Sequence, residues 1–155
     1  MQDSLNANQD YELWVLLHQV CDAIEKARTN ELRPFGISPM QAAVLFVVRN
    51  IEAATPAEIS RWLFREPNTV SELITRMEKQ GLIEKKKDLE KKNLVRIVLT
   101  EAGEEAYQHS KEMKIIREIM SYLSPEESKN LRAYLEKLRS KAFGKLGGQY
   151  HVPYP

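Results

Sequence analysis

Three segments of the chain each combine a capping hydroxyl, a proline and a Glu or Gln three residues after the cap. They lie at residues 38–41, 55–58 and 124–127. Such a hydroxyl accepts a hydrogen bond from a backbone N–H of the first helical turn, and a proline at the first helical position sacrifices no hydrogen bond. The sequence therefore predicts helices over about residues 39–50 and 56–64, and a further helix that begins at residue 125.

Periodic apolar residues predict three more helices. One covers about residues 10–32 and ends at the region of Pro34 and Gly36. Another begins near Pro67 and ends at Gly81. A third follows Thr100, where the positions 102, 106, 109, 113, 116, 120 and 123 alternate in steps of four and three. This unbroken alternation predicts one long helix.

The period changes between residues 81 and 100. The segments LIEKKKD and LVRIVLT are short and rich in strand-forming residues, and residues 88–93 between them are typical of a hairpin tip. The segment AAVLFVV in helix 39–50 is too apolar for a surface helix and is expected to cross the centre of the domain. Residues 144–155, which hold three of the six glycines, are predicted to form an irregular tail.

Charge is distributed unevenly along a chain whose net charge is only +1. Between Arg61 and Arg96 there are ten basic and six acidic residues, a local net charge of +4. A basic segment on a nearly neutral protein is the pattern expected of a face that approaches phosphates, although a solvated surface would look the same.

The helix predicted over residues 67–81 has two different sides. Val70, Leu73, Ile74 and Met77 form its buried stripe. Its outward face carries hydrogen-bond donors and acceptors that can read base edges in a major groove, whereas an apolar face would favour a protein partner. These residues are Asn68, Thr69, Ser71, Glu72, Thr75, Arg76 and Lys79.

The order of these elements resembles the MarR family of winged helix-turn-helix regulators over about residues 10–143. The most specific parts are NTVSELITRMEKQGLIEKKKD, similar to the recognition helix and first wing strand, and VRIVLTEAG, similar to the second wing strand and the next helix. The resemblance implies a mainly α fold with a small β-hairpin wing. We expect one domain over residues 1–155, with a winged helix-turn-helix at 38–100 and dimerisation helices at 10–37 and 101–143.

The same resemblance implies a homodimeric, ligand-responsive repressor that binds a pseudo-palindromic double-stranded DNA operator. The short apolar runs, the polar start and the single cysteine lead us to expect this protein in the cytoplasm. At the wing the family usually carries an Asp-Arg-Arg type sequence, where this chain has residues 90–93, Glu-Lys-Lys-Asn. Lysine lacks the planar guanidinium that suits a narrow minor groove, so wing specificity is expected to be weaker or to fall to Arg96. The wing cations expected to act on phosphates are Lys86, Lys87, Lys91, Lys92 and Arg96.

A ligand cleft between the dimer helices and the winged domain is also implied by the family, and aromatic molecules often bind there. Six residues are candidates for its lining, and all six are equally reasonable as core. They are Trp14, His18, Phe46, Trp62, Tyr107 and Met113.

Cys21 is the chain's single cysteine, which excludes an internal disulfide. It lies on the apolar side of the first helix and is interpreted as a buried structural thiol. A redox-sensing thiol is the alternative, because some relatives sense peroxides through an early cysteine. His109 with Glu105 and Glu112 has a spacing that could hold a metal, but such sets arise often by chance. No metal or other cofactor is therefore predicted.

Other classes of function find little support in the sequence. It has no glycine-rich phosphate loop, no His-Glu-x-x-His and no nucleophile elbow, so an enzyme is not expected. The longest apolar run, residues 42–48, is far shorter than a membrane span, and the polar start is not a signal peptide. A winged-helix protein-interaction module remains the competing interpretation.

Overall fold

The structure is a computed structural model that describes residues 2–87 and 94–147, with side chains from residue 8 onward. The predicted hairpin tip, which includes Lys91 and Lys92, lies outside the described residues. The described elements are, in chain order, α1 (Gln2–Leu32), a 3₁₀ turn (Arg33–Phe35), α2 (Pro39–Asn50), α3 (Pro56–Leu63), α4 (Pro67–Lys79), β1 (Ile83–Lys87), β2 (Val95–Leu99), α5 (Glu101–Ser110), α6 (Lys114–Met120) and α7 (Pro125–Lys145). This mainly helical architecture with a two-stranded hairpin confirms the predicted fold class.

The three predicted capping segments begin helices as expected. The Ser38 hydroxyl accepts from the backbone N–H of Gln41 at 3.2 Å, and the Gln41 side chain accepts from the backbone N–H of Ser38 at 2.9 Å. Ser124 and Glu127 make the same reciprocal pair before α7. Thr55 accepts from the third residue of α3. Each helix start is therefore fixed by local hydrogen bonds, which is why the sequence reveals it.

Helix α2 crosses the core, as its apolar composition predicts. Its residues Val44, Leu45 and Val47 are almost completely buried. The other buried apolar residues come from the end of α1, from α2 to α5, from both strands and from the connecting segments before α2 and α3, so the winged domain has one continuous core. They are Leu32, Ile37, Ala42, Val48, Ala54, Ile59, Val70, Leu73, Ile74, Met77, Ile83, Ile97 and Ala106.

Strands β1 and β2 form an antiparallel hairpin in which Ile83 faces Leu99 and Lys86 faces Arg96. The backbone N–H of Ile97 also donates to the carbonyl of Ala54 at 2.8 Å, so the second edge of β2 is partly paired. Within the described residues β1 has no partner strand other than β2. Buried Ile83 and Ile97 attach the hairpin to the core.

Helix α5 packs directly on the start of the hairpin. The Thr100 hydroxyl accepts from the backbone N–H of Gly103 at 3.0 Å and donates to the carbonyl of Gly81. A Cβ on Gly103 would lie 1.9 Å from the carbonyl oxygen of Leu82. Only glycine permits so close an approach, so α5 and the hairpin are rigidly joined.

The long helix predicted after Thr100 is wrong, because the chain breaks between α5 and α6. Met113 adopts the left-handed conformation at φ 47° and ψ 41°. A continuous helix would pair the carbonyl of Ser110 and the N–H of Ile115 with their neighbours four residues away. Instead Arg28 donates to the Ser110 carbonyl, and the Glu31 carboxylate accepts from the Ile115 N–H at 3.1 Å. Helix α1 thus supplies the missing partners.

Two helix limits also differ from the prediction. Helix α1 begins at Gln2, eight residues before the predicted start, and α7 extends to Lys145, two residues into the segment expected to be irregular. Residues 148–155 of that tail lie outside the described residues. Among the described helices, no segment is both long enough and apolar enough to cross a membrane.

Candidate nucleic-acid interface

Helices α3 and α4 form the helix-turn-helix unit. Phe64 ends α3 in the left-handed conformation at φ 49°, and the backbone N–H of Arg65 then donates to the Ser60 carbonyl at 3.0 Å. The ring of Phe64 lies 4.8 Å from that of Phe143 near the end of α7. This turn directs the chain into α4, which begins at Pro67.

Helix α4 presents the two sides that the sequence predicts. Its four apolar residues at positions 70, 73, 74 and 77 are buried. Most of the predicted reading face is exposed, and only Thr75 is half-buried. The exposed members are Asn68, Thr69, Ser71, Glu72, Arg76 and Lys79.

Thr75 is less available for base recognition than the sequence suggests. Its hydroxyl donates to the Ser71 carbonyl at 3.0 Å and lies 3.5 Å from the amino group of Lys85. Because a threonine hydroxyl has a single proton, only acceptor capacity remains on the outward side.

Arg76 is exposed, and its side chain makes no ion pair or hydrogen bond with another residue in the described part of the chain. Glu72, one helical turn earlier on the same face, is close enough in sequence to pair with Arg76, but the two side chains make no ion pair. No described residue occupies any of its five guanidinium N–H groups, which can therefore bind an outside partner.

The β1 strand places its cations beside α4. The amino group of Lys85 lies 3.1 Å from the carboxylate of Glu78, and this pair connects the strand to the helix. Lys86 lies 4.0 Å from Glu84, and Lys87 is exposed. Lys85 was not among the site residues predicted from sequence, although it belongs to the same lysine run.

A like-charge pair occupies the centre of the hairpin. Lys86 lies directly opposite Arg96 in the antiparallel register. The Cβ atoms of two such opposed residues are about 5 Å apart, and like charges at opposed positions destabilise a strand pair. An anion placed beside the hairpin would relieve this repulsion, which suits a surface that contacts phosphates. Of the five predicted wing cations, the structure thus places Lys86 and Arg96 opposite each other, while Lys87 is the next residue of β1 and lies opposite Val95.

The six candidate ligand-binding residues do not form one site within the chain. The rings of Trp14 and His18 are 4.4 Å apart on an exposed part of α1. Asn50 contacts both Phe46 and Tyr107. Its amide donates to the Phe46 carbonyl at 2.8 Å and lies 3.5 Å from the Tyr107 hydroxyl. Trp62 packs against the core, and Met113 lies at the break between α5 and α6. A shared cleft stays a prediction.

The structure corrects one of the remaining sequence interpretations and weakens another. Cys21 is exposed in this chain, so the interpretation as a buried thiol is wrong for the single chain, because that face of α1 has no covering element there. His109 stacks on Phe35 at 4.3 Å, while Glu112 pairs with Lys114 at 2.8 Å. Among the described residues no group of three metal-binding side chains comes together.

Comparison with known proteins identifies the same architecture. A family model described as MarR family matches residues 35–92. The chain is 30% identical over 117 residues to YwoH of Bacillus subtilis, an HTH-type transcriptional regulator, and the match covers 72% of this chain and 85% of YwoH.

Two solved structures are informative about the whole chain. The organohalide-sensing regulator RdhR-CbdbA1625, bound to 2,4-dichlorophenol, is 32% identical with a TM-score of 0.85, covering 95% of this chain and 90% of that protein. A mutant of MarR from E. coli in complex with operator DNA has a TM-score of 0.77 at 22% identity, covering 84% of this chain and 96% of that one. This second similarity shows the shared fold.

Proposed function

Because the chain belongs to the MarR family of DNA-binding transcriptional regulators, we propose that it is a homodimeric repressor of a pseudo-palindromic operator. A small aromatic effector would control its release. The observation that carries this proposal is the exposed polar face of α4 beside the lysines of β1. A helix of this kind fits the major groove, while neighbouring cations hold the phosphates. We expect no catalytic activity.

The exposed apolar faces of α1 and α7 support the dimer. No residue of α7 is buried within the described part of the chain, although the helix carries several large apolar side chains. A groove of about 580 Å³ between α6 and α7 is lined in part by Met120, Leu131 and Leu135. Large exposed apolar patches mark interaction sites. The large exposed apolar residues of both helices are Tyr11, Leu13, Trp14, Leu16, Val20, Leu131, Tyr134, Leu135 and Leu138.

A second copy is the partner that best fits these faces. One recognition helix and one wing bury little DNA surface, whereas a two-fold dimer presents two helices to successive major grooves. Symmetric association also covers the same patch on both copies at once.

The test is selection of DNA fragments from a genomic library with the purified protein. The proposal requires recovery of sites that share an inverted repeat with half-site centres about 10 base pairs apart, or a multiple of that spacing. Recovery of fragments without any shared sequence, or of none above background, would overturn specific operator binding. Reporter expression with and without the protein then distinguishes a repressor from an activator.

The effector proposal is supported by RdhR-CbdbA1625, which binds 2,4-dichlorophenol and resembles this chain over nearly its whole length. The paired rings of Trp14 and His18 on α1 offer an aromatic surface of the required kind. We expect 2,4-dichlorophenol to raise the melting temperature and to lower operator affinity, and phenol to do so more weakly. If neither ligand changes the melting temperature or the operator affinity, the proposal of a phenolic effector is overturned.

The alternative functions give different results in the same assays. A winged-helix protein-interaction module would select no DNA. A thiol-based sensor would lose operator binding in peroxide, and Cys21→Ser would abolish that loss. Cys21 is exposed in the single chain, so an oxidant can reach its thiol, and this observation supports the second alternative.

A further inference from the structure

The break between α5 and α6 is held from outside by two residues of α1. One terminal guanidinium nitrogen of Arg28 donates a hydrogen bond to the Glu31 carboxylate, and the other terminal nitrogen donates to the Ser110 carbonyl. The second oxygen of Glu31 accepts from the Ile115 N–H at 3.1 Å. The two side chains are only 10% and 19% exposed. We call this arrangement the α1 clasp. It provides hydrogen-bond partners for the last carbonyl of α5 and for a backbone N–H in the first turn of α6.

The residues of the break do not themselves require it. Residues 111–113 are Lys, Glu and Met, without a glycine or proline. Met113 nevertheless adopts a left-handed conformation that is unfavourable for a residue with a Cβ. The apolar alternation also continues across this segment from residue 102 to residue 123. The sequence is therefore compatible with an uninterrupted helix, and the clasp is what favours the broken form.

The protonation behaviour of Glu31 agrees with this role. Desolvation by burial raises the pKa of Glu31, but the hydrogen bond and charge of Arg28 and the backbone N–H of Ile115 together lower it below the ordinary 4.5. The folded clasp thus prefers a charged Glu31. Its contribution is present above pH 4.5 and is lost as the pH falls through the lowered value.

The break lies between the DNA-binding part and the proposed dimer helices. Helix α5 is fixed to the hairpin at Gly103 and Thr100, whereas α6 leads into α7. Helix α5 has ten residues and is about 15 Å long, so a change of about 15° at the break moves its far end by about 4 Å. That movement is comparable with the rise of one base pair, about 3.4 Å.

We propose that Arg28 and Glu31 are a positioning pair that sets the separation of the two recognition helices. Opening of the clasp lets α5 and α6 join into one helix and changes the half-site spacing that the protein fits. This inference rests on the proposed DNA-binding dimer, because the spacing has meaning only for two copies on one operator.

The first measurement tests the joining of the helices without DNA. Spin labels on cysteines at the exposed positions Glu105 and Ser121, in a Cys21→Ser background diluted with unlabelled protein, report a distance within one chain. The double variant Arg28→Ala/Glu31→Ala removes both charges and so leaves no lone buried ion. Its distance should move to the value of about 24 Å expected for 16 residues of continuous helix. An unchanged distance would overturn the proposal.

The second measurement uses operators whose half-sites are moved apart or together by one and two base pairs. Unmodified protein should prefer one spacing, and the double variant should lose or shift that preference by about fivefold or more. A variant that is merely less stable would lose affinity on all spacings alike, and that result would also overturn the proposal. Arg28→Lys keeps the charge and should recover only part of the preference, because one amino group replaces the planar fork.

Glu58→Gln is the matched control. It removes the carboxylate of another helical Arg–Glu pair with the same i,i+3 spacing, Arg61 with Glu58 at 3.3 Å, which is more exposed and lies on α3. This variant should leave both the label distance and the spacing preference unchanged. If the unmodified protein selects no operator, the proposed function fails, while the label distance still decides whether the clasp holds the break.

Discussion

At the scale of single residues, Arg76 is the side chain best placed for base recognition. It is exposed on the outward face of α4, and its guanidinium is not engaged by another described residue. The hydroxyl of Thr75, the residue before it, donates its hydrogen bond to the Ser71 carbonyl. Arginine can bind both acceptors on the edge of a guanine, which makes it the commonest base-specific contact in the major groove.

We therefore expect Arg76→Ala to weaken binding to the cognate operator by about 1 to 3 kcal/mol. Nonspecific binding and thermal stability should change little, because an exposed helical alanine costs little. Binding curves on operator and scrambled DNA at one salt concentration measure the difference. Lys26→Ala, which removes an exposed cation of α1, is the control. An equal loss on both DNAs would make Arg76 a phosphate contact instead.

At the scale of elements, the joint between α5 and the hairpin depends on Gly103. A methyl group there would overlap the backbone of Leu82, which cannot move without displacing β1. Gly103→Ala should lower the free energy of unfolding by about 3 kcal/mol, near the upper end of the usual cost of overpacking. Denaturant unfolding measures it. Gly144→Ala on α7, where a Cβ meets nothing within 4 Å, should be neutral or stabilising. Similar behaviour of both variants would contradict the argument.

The hairpin should act mainly on phosphates. Replacement of Lys86 and Lys87 by Ala should weaken binding to every DNA sequence alike, and the salt dependence should become shallower by about one to two counterions. Titrations at several salt concentrations test this, with Lys26→Ala/Lys137→Ala as a control that removes the same charge outside the proposed DNA interface. A loss confined to one operator, with the salt slope unchanged, would assign these lysines to the reading of sequence or groove shape.

The elements also show which parts of the structure are visible in the sequence. Helix starts at residues 39, 56 and 125, the hairpin and the two sides of α4 depend on neighbours within a few residues, and the sequence predicts all of them. The break after Ser110 depends on Arg28, which lies 82 residues away in the chain. The periodicity of apolar residues within one segment carries no information about a contact over that separation. The exposure of Cys21 was missed for a related reason, since an apolar stripe does not reveal what covers it.

At the scale of the whole molecule, the apolar faces of α1 and α7 require a partner. Sedimentation at micromolar concentration should give twice the chain mass of 17.9 kDa. Leu138→Glu should shift the equilibrium to monomer and make the melting temperature less dependent on concentration, because it places a charge in the proposed interface. Ser140→Glu, which places the same charge at an exposed polar position of the same helix, is the control. A 17.9 kDa species for the unmodified protein would exclude the symmetric-operator mechanism.

The outer edge of β1, which has no partner strand among the described residues, has a consequence for the free protein. An unpaired strand edge can template the addition of a strand from another molecule, and proteins often protect such edges with lysine. Residues 85–87 of β1 are three successive exposed lysines. The charges that would hold DNA therefore also oppose fibre-like stacking of one hairpin on another. Solubility and operator affinity are thus linked through the same side chains, and a chain adapted to bind DNA more weakly by losing them would become more prone to aggregate.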